Sequence, residues 1–229
     1  MAGPEYAYVQ ARLQARHGSM PQPSSWQVLE ASHTAGHFLA HARSGPLAPW
    51  VEGQDPSRDA HRAEQQLRQR WRRYVDDLAA WQPPRWRPAT RWFGSLPELA
   101  LTKPPAVGAE VAHWLQAWLK LMPAGDARVA PLRRVATLLM PGLVVADRER
   151  PSHAAAPAAP AAPAARAASA ASAAPVRRAL LGLFRRHTAS PVAVFAHLAL
   201  VALDVERLRG GLVTRILFEP APAGAPQGA

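Results

Sequence analysis

Apolar residues recur along most of this chain at intervals of three and four, the spacing that gathers them on one side of an α-helix. Tyr6, Val9 and Leu13 form the first row and predict a short helix over residues 6–17, closed by Gly18-Ser19-Met20-Pro21. Leu29, His33, Gly36 and Leu39 or Ala40 share a face over 26–42, with Ser25 placed to cap that helix. Residues 47–51 read as a short apolar turn containing Trp50. Asp59 or Ser57 then starts a long amphipathic helix to about Trp81. Its inner face is Leu67, Trp71, Tyr74 or Val75, and Leu78, while Arg68, Arg70, Arg72 and Arg73 stay in water.

Beyond Pro83-Pro84 the stretch 85–93 reads as irregular, aromatic and basic, and 96–101 as one helical turn. Val111, Trp114, Leu115 and Trp118 come together on a helix over 107–121. A shorter helix over 131–140 ends at Pro141-Gly142. Leu180, Leu181, Leu183 and Phe184 mark another over 176–187, and a proline-led apolar run opens the last, over 190–215. Alternating β-branched runs and Asn-Gly hairpins are missing, so the expected fold class is all-α.

One interruption stands out. Residues 152–175 are almost entirely alanine, proline and serine, which predicts a flexible or semi-rigid linker. The expected organisation is a helical domain over 1–150, a low-complexity linker over 151–175, a C-terminal helix pair over 176–219 packing on the main domain, and a disordered tail over 220–229.

Composition narrows the chemistry. Nearly half of the 229 residues are apolar and eight are tryptophan, which suits a real core. There is no cysteine, so disulfides, thiolate metal sites and a cysteine nucleophile are excluded. The formal charge of +11 rests on 25 arginines and two lysines. Arginine, alanine and proline rise together in GC-rich genomes, but a surface this basic still attracts acidic partners. The N-terminus has neither the basic nor the apolar region of a signal peptide. The longest apolar run, 191–203, contains His197 and is too short to span a bilayer. These features point to a cytoplasmic protein whose membrane link, if any, is peripheral.

Candidate chemistry is sparse. His33, His37 and His41 would lie at i, i+4 and i+8 on one helix face, a spacing that can chelate a metal, but no glutamate sits inside the HxxxH. Glu30-x-x-His33 and Glu110-x-x-His113 echo half of a di-iron bundle site, yet that site needs a glutamate on a helix before each pair, and before Glu30 there is only Glu5, with no room for a long first helix. Asp76-Asp77 diverge as neighbours on a helix. No phosphate loop or nucleophile elbow occurs. The expectation is no catalytic residues, no cofactor and no metal. Arg68–Arg73 and Arg85–Arg91 interleave tryptophan with arginine, as single-strand nucleic-acid platforms do. Trp71 falls on the apolar stripe of its helix, so nucleic acid is not the expected partner.

Both ends of the chain carry a motif. Pro191, Phe195, Asp204, Glu206, Leu208 and Arg209 follow one another in an order that resembles the C-terminal signature of the central-stalk C/d family of rotary ATPases, found in archaeal-type and vacuolar-type enzymes. Arg207 stands where that signature has asparagine. At the other end Tyr6, Tyr8 and Arg12 are similar to the family's opening helix, with Gln10 in place of an asparagine. The resemblance covers about a quarter of the chain. Family members are considerably longer and built from three similar helical bundles. The resemblance implies a non-catalytic component of a proton- or sodium-translocating V/A-type ATPase, peripheral to the inner membrane through its complex. Its partners would be the membrane rotor ring and the central shaft. The alternative reading is a basic helical module that binds nucleic acid or an acidic protein.

Overall fold

The computed structural model describes residues 4–55, 59–99, 107–148 and 162–218, and among these it is all-α, with no strand. The α-helices are α1 (Ala7–Gly18), α2 (Pro23–Ala31), α3 (Ala35–Arg43), α4 (Ala48–Val51), α5 (Ala60–Trp81), α6 (Arg87–Trp92), α7 (Leu96–Leu99), α8 (Val107–Lys120), α9 (Val129–Arg148), α10 (Ala162–Arg186) and α11 (Pro191–Phe218). Short 3-10 turns precede α1 and α6 and join α6 to α7.

Several elements differ from the sequence expectation, each for a physical reason. The helix expected over 26–42 is two helices, broken at Ser32-His33-Thr34. Thr34 is extended and its hydroxyl accepts from His37 N–H at 3.2 Å, a side-chain cap that starts α3 afresh. Helix α2 begins at Pro23 in the first turn, not after a Ser25 cap. The stretch 85–93 is not irregular: Pro84 opens a 3-10 turn and Pro88 sits in the first turn of α6, where a missing N–H is tolerated. Helix α9 runs through Pro141-Gly142 to Arg148, because an internal proline forfeits one hydrogen bond without always ending a helix. The expected linker is helical from Ala162 onward and continuous with the helix expected over 176–187. Alanine is the strongest helix former, and Pro163 lies in the first turn. The rest of that linker and the tail over 220–229 lie outside the described residues.

The chain divides into two compact units. The first is Met1–Ser19 with Arg70–Glu206, the second Met20–Gln69 with Arg207–Ala229. Residues 20–69 thus group with the C-terminal part of α11, and residues 1–19 with 70–206.

In the first unit Tyr6, Val9 and Leu13 at the start of the chain, Trp71, Val75 and Leu78 of α5, and Leu132, Val135, Ala136 and Leu139 of α9 are all buried, as their spacing requires. Every residue of α11 from Pro191 to Ala202 is buried, so this helix is enclosed on all sides rather than along one stripe. Phe195 sits at the centre of an aromatic cluster, 5.1 Å from both Phe93 and Trp118 and 6.3 Å from Trp86 between ring centroids. These tilted and edge-on pairs match the ring quadrupoles. The indole N–H groups of two cluster neighbours find backbone acceptors: Trp71 donates to Phe93 O at 2.9 Å and Trp118 to Ala89 O at 3.0 Å.

In the second unit Trp26, Leu29, Phe38, Leu39, Leu47, Val51 and Leu67 enclose Leu208 and Leu212 of α11. Arg215 closes the end of α2. Its guanidinium donates to Leu29 O at 3.2 Å, Glu30 O at 3.1 Å and Ser32 O at 2.8 Å, while its face lies 4.5 Å from the Phe38 ring. A side chain thus takes up carbonyls at the end of α2, where Leu29 O also accepts from Ser32 N–H at 3.2 Å.

Candidate functional site

The two terminal motifs fall in the described residues, and within the first unit Gln10 of the first meets the turn between α10 and α11 that precedes Pro191. Ala189 in that turn has φ of +52°, a left-handed conformation that costs a non-glycine residue about 1 kcal/mol. Its N–H donates to Gln10 Oε1 of α1 at 2.8 Å, and Ser190 Oγ donates to His187 O at 2.7 Å. Gln10, the residue that stands for asparagine in the N-terminal motif, therefore secures the turn from which the C-terminal signature starts. This contact joins residues 179 positions apart.

The remaining motif residues separate into roles. Tyr6 is 1% exposed, and burial pushes its phenol up beyond its ordinary range against the pull of Arg128. Pro191 and Phe195 are buried in the first unit. Asp204, 4% exposed, receives both arms of the Arg177 guanidinium at 2.6 and 3.3 Å, a bidentate pair that neutralises it inside the helix packing. Glu206 lines a cavity of about 10 Å³ with Trp71, Leu96, Pro97, Ala202 and Val205. That space matches a single water rather than a substrate. In the second unit Leu208 belongs to the apolar core, and Arg209 donates to Glu64 at 2.6 Å, which also pairs with Arg68 at 3.1 Å. Tyr8 and Arg12, by contrast, face outward on α1.

The first unit also contains a buried polar group whose one mark in the sequence is that His197 interrupts an apolar run. His197 of α11 is fully buried, and its Nε2 is 2.6 Å from the Tyr74 hydroxyl. His17 of α1 stacks on Phe184 at 4.1 Å and meets the His197 ring edge-on at 5.7 Å. Burial lowers the His197 pKa to about 3, with His17 and Arg16 adding repulsion. Burial, then Arg177 and Arg185, also lowers that of His17. Burial raises the Tyr74 phenol to about 12, although Arg16 opposes the shift. Tyr74 and His197 form a hydrogen-bonded pair within the helix packing, with His17 in ring contact with His197. No periodicity rule marks such a residue; its one sequence signal is a polar side chain within an otherwise apolar helix.

The other sequence candidates do not assemble. His33 lies in the link between α2 and α3, so the three histidines do not share a helix face. No cluster of three or more His, Cys, Asp or Glu that could hold a metal occurs among the described residues. Glu110 and His113 are exposed on α8, and Glu30 pairs with Arg207 at 2.8 Å. Trp71 and Trp86 of the arginine–tryptophan segments are buried and offer no face to a base. Trp92 is partly exposed, with its N–H donated to Trp114 O at 3.2 Å. No helix among the described residues is long and apolar enough to cross a membrane. Set against protein-family models, curated proteins and solved structures, the chain matches none of them.

Proposed function

We propose that this chain is a non-catalytic central-stalk component of a proton- or sodium-translocating V/A-type rotary ATPase, coupling the shaft to the membrane rotor ring. The observation that carries the reading is the Gln10–Ala189 hydrogen bond, which brings the two family-like motifs together although they lie at opposite ends of the sequence. Segments that build one structural junction are expected to meet in space, and Gln10 of the first motif meets the turn that precedes Pro191. The chemistry of the motif residues supports the same reading. Asp204 and Arg209 are consumed by ion pairs to Arg177 and Glu64, as suits parts that hold helices against load rather than act on a substrate. The burial of every residue from Pro191 to Ala202 of α11 within the first unit suits an element that has to carry torque without yielding. In this role the protein is cytoplasmic and held at the inner membrane by its complex.

The test is purification of the tagged chain from cells of its source that assemble such an ATPase. Ring and shaft proteins are expected to accompany it in fixed ratio. A chain that purifies alone from those cells ends the proposal. The alternative, a basic module for nucleic acid, has the net charge of +11 in its favour but lacks exposed rings at Trp71 and Trp86. It would show as binding to single strands that falls steeply with salt.

A further inference from the structure

Five side chains of the first unit form a ladder in which aromatic rings and guanidinium groups alternate: Tyr8, Arg12, Trp81, Arg16 and Tyr74. The Arg12 guanidinium lies 5.4 Å from the Tyr8 ring and 4.4 Å from the Trp81 ring. Arg16 lies 4.4 Å from Trp81 and 4.6 Å from Tyr74. The inner end is spoken for, because Arg16 pairs with Asp77 at 3.1 Å and Tyr74 bonds His197. The outer end is different. Tyr8 is 60% exposed, Arg12 is exposed, and Arg12 has no carboxylate partner among the described residues. Its one side-chain hydrogen bond, to the Tyr8 hydroxyl at 2.6 Å, fixes its orientation without neutralising it.

We propose that Tyr8 and Arg12, backed by Trp81, form the docking point for an acidic segment of a protein partner. Arg12 receives one of its carboxylates and Tyr8 covers the apolar residue beside it. Stacking shields the guanidinium faces and leaves the edge N–H groups in the fork that suits a planar carboxylate. The side chain is already ordered, so binding costs little further conformational entropy. Tyrosine, tryptophan and arginine are also the residues that dominate interface energetics. Charge selects a protein over a polyanion. Asp77 beside Arg16 and Asp76, which pairs with Arg91 at 3.7 Å, are more than half exposed on the same helix as Trp81. Both carboxylates are compensated by those arginines, so among the described residues Arg12 is the one cation of the ladder left without a carboxylate; a single carboxylate of a protein segment matches it, whereas a phosphate backbone or an anionic bilayer calls for a row of open cations.

The experiment replaces Tyr8 with p-benzoylphenylalanine in the full chain, expressed in its source cells, and maps the photo-cross-linked species by mass spectrometry. The expected product is a protein peptide with Asp or Glu within a few residues of the linkage. Its yield should fall at least about ten-fold on Arg12→Glu, and reversing the charge of the mapped carboxylate should restore it. Unchanged helicity and Tm show that Arg12→Glu remains folded; if it does not, Arg12→Gln replaces it, with a several-fold loss expected. Cross-links to nucleic acid or lipid alone, no cross-link, or a yield indifferent to Arg12 would each overturn the inference. It stands apart from the stalk reading. A mapped acidic peptide from a protein outside the ATPase upholds the docking point and counts against the stalk role. Co-purification with the ATPase without a Tyr8 cross-link does the reverse.

Discussion

At the scale of single residues, burial decides the chemistry. His197 has no route to solvent, so it stays neutral in the native state down to about pH 3, whereas an unfolded histidine titrates near 6.5. Below about pH 6.5 only the unfolded chain takes up this proton, so its contribution is fully present above that value and is lost as pH falls towards 3. Urea titrations of the wild type at pH 7 and pH 5 should differ by about 2 kcal/mol more than those of His197→Phe. An identical pH response in the two proteins would mean that His197 is not buried in this state. Asp204 makes the complementary case. Its carboxylate is enclosed and Arg177 is its bidentate partner. Arg177→Ala should cost about 2 kcal/mol, and adding Asp204→Asn should recover part of it, because the buried charge rather than the lost bond is the main penalty.

At the scale of elements, α11 contains two adjacent glycines with opposite requirements. A Cβ on Gly211 would lie 2.9 Å from Cζ of Phe38, while one on Gly210 would meet nothing within 4 Å. Gly210→Ala should therefore raise stability by about 0.5–1 kcal/mol through helix propensity alone. Gly211→Ala should lower it by about 1–3 kcal/mol through overpacking. Urea midpoints of the pair check both signs at once. Helix α2 depends on a residue outside it in the same way. Arg215 donates to the carbonyls of Leu29, Glu30 and Ser32 as a planar fork, which a lysine cannot reproduce. Arg215→Lys should lower the unfolding free energy by about 2 kcal/mol despite keeping the charge.

At the scale of the molecule, each unit takes part of its core from α11. Leu208 and Leu212 are enclosed by α2, α3 and α4 in the second unit. Deleting residues 207–229 should abolish amide-exchange protection across those three helices, since an isolated set of short helices has too little apolar area to bury. Protection that survives the deletion would show that α2, α3 and α4 hold together without Leu208 and Leu212. The proposed stalk role belongs at this scale too, since it asks packed helices to carry load without yielding.

Periodicity and local propensity were enough to give the helical class and most of the buried faces. A 3.6-residue period forces Val9 with Leu13, Leu67 with Trp71, Val75 and Leu78, and Trp114 with Trp118 to one side each, and all of these are buried. The start of α5 was legible too, where Asp59 Oδ1 accepts from His61 N–H at 3.2 Å, because a cap is a local interaction. Where local signals compete, boundaries do not follow the face pattern: alanine propensity outweighs the low complexity of 162–175, and the Thr34 cap divides a helix whose shared face runs through His33 and Gly36. It took the assembled chain to establish that Gln10 holds Ala189, that Arg177 rather than any of two dozen other arginines neutralises Asp204, and that a histidine on α11 faces a tyrosine on α5. Such pairings join distant parts of the chain, and periodicity sets which way a side chain points from its helix without setting which helix it meets.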